Sequence, residues 1–368
     1  MVNTGYKQSL YFGNETSYGS TAVISQPIGL VQSVNPTETN NLIKIRTLGG
    51  DRDYSNVVPG KFEISGTFDY YLQTANFFRM AMGEDTATTT TVDSGPVYHT
   101  GQGGVGTAYC HVMGSAASPL ANSFPSFSLE FADDEDGGSP GTYNLLRTYS
   151  GARVNSLSMN ASVDEPVSIS VDWMAQNVTI STAGNTSVTE STKDPYVFYQ
   201  GAVFATSASV GRYTTQASLT SDSICEVNGF DWSVNNNLEA VWYVSGTCNS
   251  FETNRGARLI IPKGRDYESN LNLHFANKTQ YERFLGAAAA TGPQDTLTEY
   301  DIVLDFVRSG TIGGTKAVTD DWIRIVMKDA KFDSINIPGG PEDIISQTIS
   351  LALESAVVYA VDNDESYE

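Results

Sequence analysis

Apolar and polar residues alternate along most of this chain. Phe62-Ile64-Gly66-Phe68, Val167-Ile169-Val171-Trp173, Leu271-Leu273-Phe275, Ile323-Ile325-Met327 and Ile349-Leu351-Leu353 each fill every second position. A strand turns successive side chains to opposite faces, so this period predicts half-buried antiparallel strands with one polar face. Two segments break it. LQTANFFRMAM (72–82) and KTQYERFLGAAAA (278–290) space their apolar residues three and four apart, use good helix formers and contain no proline. They predict two helices, with Thr74 and Thr279 as N-caps whose hydroxyls satisfy free backbone N–H groups.

The order strand, then helix, occurs twice. GDRDYSNVVPGKFEISGTFDYYLQTANFFRMAMG (50–83) and GRDYESNLNLHFANKTQYERFLG (264–286) both open with Arg-Asp-Tyr, at Arg52–Tyr54 and Arg265–Tyr267. Placing Phe68 on Phe275 puts Phe77 on Phe284 and Phe78 on Leu285 without a gap. FSLEF (127–131) then matches IVLDF (302–306), and TNNLI (39–43) matches part of VNNNLEAV (234–241). In the last element Val154, Ser156, Leu157 and Met159 fall on Phe332, Ser334, Ile335 and Ile337, with Val171 and Trp173 on Ile349 and Leu351. Order and spacing hold across four consecutive elements, which predicts a tandem duplication. The expected domains are 1–190 and 191–368, meeting in the polar, aperiodic stretch 181–195. Residues 83–123, rich in Gly, Ser and Thr, occur in the first half alone and read as a long surface excursion.

Charge narrows the function classes. Forty-two acidic against twenty-one basic residues give a net −21 over 368 residues. Generic nucleic-acid binding needs Lys and Arg to neutralise phosphates, so this balance argues against it. The hydrophobic fraction of 40% and aromatic fraction of 11% exclude wholesale disorder. No apolar run approaches the about 18 residues of a spanning helix. The first twenty residues lack a basic n-region and an apolar h-region, so a soluble, non-exported protein is expected.

Candidate chemistry is sparse. Cys110, Cys225 and Cys248 are an odd number without CxxC spacing; isolated thiols are expected, with a Cys225–Cys248 bridge the one pairing left open. His99, His111 and His274 lack metal-ligand spacing and read as solvated, the first two on the excursion and the third on a polar strand face. GQGGVG (101–106) has no flanking strand and helix to make a phosphate cradle. The acidic run FADDEDGGSPG (131–141) is contiguous, not spaced as a calcium loop, and reads as a hairpin tip; the tail DNDESYE (362–368) reads as solvated. Asn-x-Ser/Thr triplets at Asn14, Asn160, Asn177, Asn185 and Asn277 match the frequency expected by chance. No nucleophile, base, cofactor or metal site is predicted, so no enzyme.

SGTFDYYLQTANFFRMAMG…FSLEF…SGARVNSLSMNASVDEPVSISVDW, its partner NLNLHFANKTQYERFLG…IVLDF…DAKFDSINIPGGPEDIISQTISLAL, and SVNNNLEAVW followed by Arg-Asp-Tyr resemble the tail tube proteins of tailed bacteriophages and archaeal viruses. The resemblance covers roughly 30–82, 124–178 and 228–356; the excursion 83–123 departs from it. It implies a mainly β fold in each half, a β-sandwich or partial barrel with a flanking helix, and a structural role in the virion tail after assembly in the host cytoplasm. Six such domains close a ring, so two per chain imply a homotrimer with pseudo-sixfold symmetry. It implies stacked rings, a tape measure inside, terminator and baseplate proteins at the ends, and viral DNA passing without specific binding or a membrane. Glu63, Asp69, Asp172, Glu342 and Asp343 are the candidate lumen-facing carboxylates. A tail terminator or baseplate ring protein, or a β-rich virion or cell surface protein, is the alternative.

Overall fold

The computed structural model describes residues 8–48, 52–83, 109–114, 124–135, 142–184, 188–189, 191–211, 214–244, 255–312, 320–339 and 344–362. His99, Cys248, Asn185, Glu342, Asp343 and the tip of the acidic run lie outside them.

The alternating segments form strands. The first half holds β1 (Ser9–Asn14), β2 (Gln26–Pro27), β3 (Leu30–Thr39), a short pair β4 (Ile43–Ile45) and β5 (Asn56–Val58), β6 (Glu63–Tyr71) and helix α1 (Phe78–Met82). There follow β7 (Tyr109–Met113), β8 (Phe127–Glu135), β9 (Thr142–Ser162), β10 (Ser168–Ala175) and β11 (Asn177–Ala183). The second half holds β12 (Gly201–Thr206), β13 (Val227–Asn235), a short pair β14 (Glu239–Val241) and β15 (Leu259–Ile261), β16 (Asp266–His274) and helix α2 (Thr279–Leu285). It ends with β17 (Tyr300–Ser309), β18 (Asp321–Asn336), β19 (Ser346–Ala352) and β20 (Ser355–Asp362).

Two long strands divide these into layers. The first part of β9 pairs with β8 and β11, and its last part with β10 and β13. β18 likewise leaves β17 and β20 for β19. At each change the backbone takes a left-handed turn, at Gly151 (φ 63°) and Asp329 (φ 52°). A Cβ on Gly151 would lie 2.7 Å from the Cβ of Gln176, so glycine is required there. The inner layer runs β3-β6-β10-β9-β13-β16-β19-β18 without a break. Between it and the outer strands lies the core: Tyr149 against Trp173 at 4.9 Å, and Phe77 edge-on to Phe12, Phe68 and Phe127 at 5.1–5.3 Å. Phe306 against Phe230 at 5.8 Å does the same in the second half.

The helices are shorter than their spacing predicts. Leu72 lies just past the end of β6, its N–H bonded to Val167 O and its carbonyl accepting from Tyr196 N–H. α1 starts at Phe78, after an N-cap Phe77 with no side-chain bond, so Thr74 caps nothing. Residues 72–78 are buried throughout, and burial on every side mimics helical spacing without a helix. In α2 the cap falls to Asn277, whose Oδ1 accepts from Thr279 N–H at 2.8 Å. α2 stops at Leu285, before Gly286 (φ 120°), not at 290.

The pairing scheme of the first half recurs in the second. β1–β8, β8–β9, β9–β10, β10–β6, β6–β3 and β9–β11 correspond to β12–β17, β17–β18, β18–β19, β19–β16, β16–β13 and β18–β20. Both β9–β10 and β18–β19 slip register at matched places, where Trp173 faces Val154 and Leu351 faces Phe332, as the sequence match of these segments expects. Three other matches need correction. Val171 faces Phe68 while Ile349 faces Leu271, so the counterpart of Phe68 is Leu271; Phe275 lies past the end of β16. Phe127 and Leu129 flank a slip opposite Ala152 and Tyr149, as Tyr300 and Ile302 do opposite Ala330 and Met327. FSLEF therefore corresponds to YDIVL (300–304), not IVLDF. The Arg-Asp-Tyr tripeptides are unrelated by position: Arg52–Tyr54 precede β5, whereas Asp266 and Tyr267 belong to β16.

The excursion is not wholly surface. β7, inside it, pairs with β20 and extends the second half's outer layer, with Val112 and Met113 buried. His111 is buried too, its Nε2 3.7 Å from Asp362, whose place in β20 buries the first residue of the acidic tail. His274 is exposed, as expected. β8 continues through the start of the acidic run, where Asp133 pairs with Arg147 at 2.7 Å. Cys225 is a free, exposed thiol, and Cys248, its one candidate partner, lies outside the described residues.

Candidate assembly interface

The two halves meet along β9 and β13. β13 lies along β9, with Phe230 opposite Ala161, Trp232 opposite Met159 and Val234 opposite Leu157. Trp232 and Val234 are fully buried, and Phe78 of α1 stacks on Trp232 at 6.2 Å. Just past β13, the buried Asn236 donates from Nδ2 to Ala81 O (3.0 Å) and Val154 O (3.1 Å). Its Oδ1 accepts from Arg265 Nε at 2.9 Å, and Arg265 also donates to Met82 O at 3.0 Å. A guanidinium from the second half thus satisfies the carbonyl end of the first half's helix, where unpaired C=O groups favour a cation. The sequence shows Arg265 as the first residue of a repeated Arg-Asp-Tyr; its partners on α1 are visible in three dimensions alone.

The β14–β15 hairpin continues this contact over the first half. Arg153 donates to the carbonyls of Ile260 and Phe124, the second at 3.3 Å. Ile260 N–H donates to Tyr18 Oη (3.0 Å), and Gln176 Nε2 donates to Arg258 O (2.9 Å). Ile260, Ala257 and Phe124 are all buried as a result. Burial pushes the Tyr18 phenol up to about 12, partly opposed by the Arg153 guanidinium 4.3 Å from its ring.

Two strand edges of the inner layer have no partner among the described residues. β3 pairs with β6 alone, and β18 beyond Ala330 pairs with β19 alone. Unpaired edges expose rows of N–H and C=O groups that seek another strand.

The inner layer's other face, turned from the core, is polar. Opposed pairs there include Asp69 with Ser33, Asp172 with Thr67 and Ser156, Asp231 with Asn160 and Asn270, and Glu268 with Ser233. Side-chain bonds tie the strands together: Ser33 to Asp69 (2.5 Å), Asn155 to Asp172 (2.7 Å), Asn270 to Asp231 (2.8 Å) and Ser350 to Asn270 (2.7 Å). β3, β6, β10, β13, β16 and β19 contain no Lys or Arg. Of the five candidate carboxylates, Glu63, Asp69 and Asp172 share this face. Glu63 accepts from Lys61 (2.5 Å) and Asn41 (2.6 Å), and the Lys61 bond holds its carboxyl below the usual range. Asp231 and Glu268 belong with them; both occupy polar positions of alternating strands, a signal present in the sequence. Among the described residues no group of three or more His, Cys, Asp or Glu is placed to hold a metal ion. Nor is any described helix long and apolar enough to cross a membrane.

A family model described as phage tail tube protein matches residues 5–354. The chain belongs to that family. No curated protein matches it. A tail tube protein is a structural component of the virion tail that assembles with itself and with other tail proteins.

Proposed function

We propose that the chain is two tandem tube domains, 1–190 and 191–368, and that three chains close a pseudo-hexameric ring. Rings then stack into a tube through which viral DNA passes. The β9–β13 junction carries this reading. Within a chain, β9 presents an edge that β13 fills. β18 presents the corresponding edge, and β3 corresponds to β13 in the recurring scheme. Repeating the junction between chains, in the register of β9 with β13, sets Glu38 opposite Ile335 and Val34 opposite Gly339. Each chain adds eight inner strands, so three chains close a barrel of twenty-four and leave no open edge. A six-chain ring would carry twelve domains and a much wider bore.

The inner layer's polar face then lines the bore. Glu63, Asp69, Asp172, Glu342 and Asp343, joined by Asp231 and Glu268, repel a polyanion that must slide without binding. Head-to-tail stacking is a heterologous contact that extends into a filament, with a tape measure inside and terminator and baseplate proteins at its ends. Assembly takes place in the host cytoplasm.

Native mass spectrometry with electron microscopy of the purified protein tests this. Rings of three chains that stack into tubes are expected, with these carboxylates toward the bore. Six chains per ring would refute the trimer, single unstacked rings would favour a terminator or baseplate role, isolated particles would favour a surface protein, and density placing every one of these carboxylates on the outer wall would refute the lining.

A further inference from the structure

We propose that the β4–β5 hairpin of each chain is an arm that docks on the second half of the neighbouring chain in the ring, its basic face meeting the carboxylates of Glu299 and Glu354. This rests on the three-chain ring proposed above.

The two hairpins correspond. Each follows Asn-Asn-Leu, at 40–42 and 236–238, and Lys44 faces Val57 as Ala240 faces Ile260. Carried through these registers, Tyr54 corresponds to Ala257. Their surroundings differ. β14–β15 is covered by its own chain's first half, leaving Ile260 0% and Ala257 3% exposed; Val57 and Tyr54 are each 46% exposed. The landing surfaces differ in the same way. Phe124, under β14–β15, is 4% exposed, whereas its counterpart Leu297 is 45% exposed. An apolar arm and an apolar landing site are thus both uncovered within one chain, and each is the kind of position that the internal junction buries.

Charge then selects the neighbour. In the first half the landing surface is Arg153 and Gln176 with Ser126, whose hydroxyl donates to the Glu15 carboxylate at 2.7 Å. The same backbone bond marks the counterparts: Gln176 N–H donates to Ser150 O, and Glu354 N–H to Lys328 O. In the second half these positions become Lys331, Glu299 and Glu354. Lys331 Nζ lies 2.9 Å from Glu299 and 3.6 Å from Glu354, so two carboxylates share one ammonium and keep an excess negative charge. The arriving hairpin carries the complement. Lys44 and Arg46 lie over the Tyr54 ring at 5.4 and 4.5 Å, where the internal hairpin has Ala240 and Trp242. At these positions hairpin and landing surface differ together: Ala240 and Trp242 meet an Arg153 that Glu15 accompanies inside a chain, whereas Lys44 and Arg46 would meet the Glu299 and Glu354 carboxylates between chains.

Two variants test the arm in the full-length protein, after wild-type ring mass is measured. Lys44→Glu with Arg46→Glu should raise the chain concentration needed for ring formation at least tenfold, and adding Glu299→Lys with Glu354→Lys should restore it. Val57→Cys with Leu297→Cys, treated with a short bismaleimide, should give covalent two- and three-chain species on a denaturing gel. Each single-cysteine variant should stay at the wild-type background. Intact rings that ignore the charge reversal and show no such cross-link overturn the arm and leave the ring standing. Cross-links found in stacked tubes but lost in isolated rings place the arm between rings and overturn lateral docking. A wild-type protein without three-chain rings overturns both proposals.

Discussion

Arg265→Ala is expected to destabilise the protein, whereas Arg52→Ala in the same tripeptide is not. Arg265 makes charge-assisted hydrogen bonds to Asn236 Oδ1 at 2.9 Å and Met82 O at 3.0 Å. Each such bond contributes about 1.5–3 kcal/mol, and the half-buried setting places these toward the lower end, about 3 kcal/mol together. Unfolding entropy of about 2 cal/mol/K per residue makes that a fall in Tm of about 4 °C for a chain of 368 residues. Arg265→Lys keeps the charge but loses the fork, and should recover about half of the loss. Arg52 is exposed ahead of β5, so its removal should stay within about 0.5 kcal/mol. Near-UV circular dichroism melts would read this, at one protein concentration because self-assembly raises apparent stability. Equal losses from both variants would refute the positional distinction, and an unchanged Arg265→Ala would refute the helix-end role.

Three further outcomes are expected. Asp305 and Arg324 form a fully buried pair (2.6 and 2.7 Å), so Asp305→Asn should cost about 3–5 kcal/mol in denaturant melts; Asp305→Leu with Arg324→Met should cost less, because no charge is left unpaired. Gly151→Ala should destabilise by about 1–3 kcal/mol, while Asp329→Gly should be near neutral, since both positions hold left-handed backbone. Burial raises the phenols of Tyr18, Tyr70, Tyr149 and Tyr196 above their usual 10.0, Tyr18 to about 12. Their contribution is complete below pH 10 and is lost as pH rises through the folded values. Absorbance titration should therefore show these phenolates appearing together with unfolding, and Tyr18→Phe should reduce the loss between pH 10 and 12.

Alternation made the strands, the polar inner face and the acidic residues on it legible, because period two is a local property of extended backbone. The helices were half legible. Phe78–Met82 and Thr279–Leu285 lie inside the expected spans, but complete burial of 72–77 gave turn and coil a helix-like spacing. β7 was illegible: nothing in a Gly- and Thr-rich excursion names β20, 245–253 residues away, as its partner. Arg265 was legible as a residue and illegible as a contact, because its partners belong to the other half.

The sequence by itself determined which residues could face a core, that the chain is acidic with almost no cations on the inner strands, and that one series of elements occurs twice. It did not determine register. Matching Phe68 to Phe275 in place of Leu271 is a shift of four, and matching FSLEF to IVLDF in place of YDIVL is a shift of two. Even shifts keep every strand side chain on its own face, and four residues are close to one helical turn, so the hydrophobic pattern is blind to both. Hydrogen bonds between strands and the matched bulges at Trp173 and Phe332 resolve the ambiguity. Those bonds exist in the tertiary structure alone, and among the described residues they leave the edges of β3 and β18 without a partner.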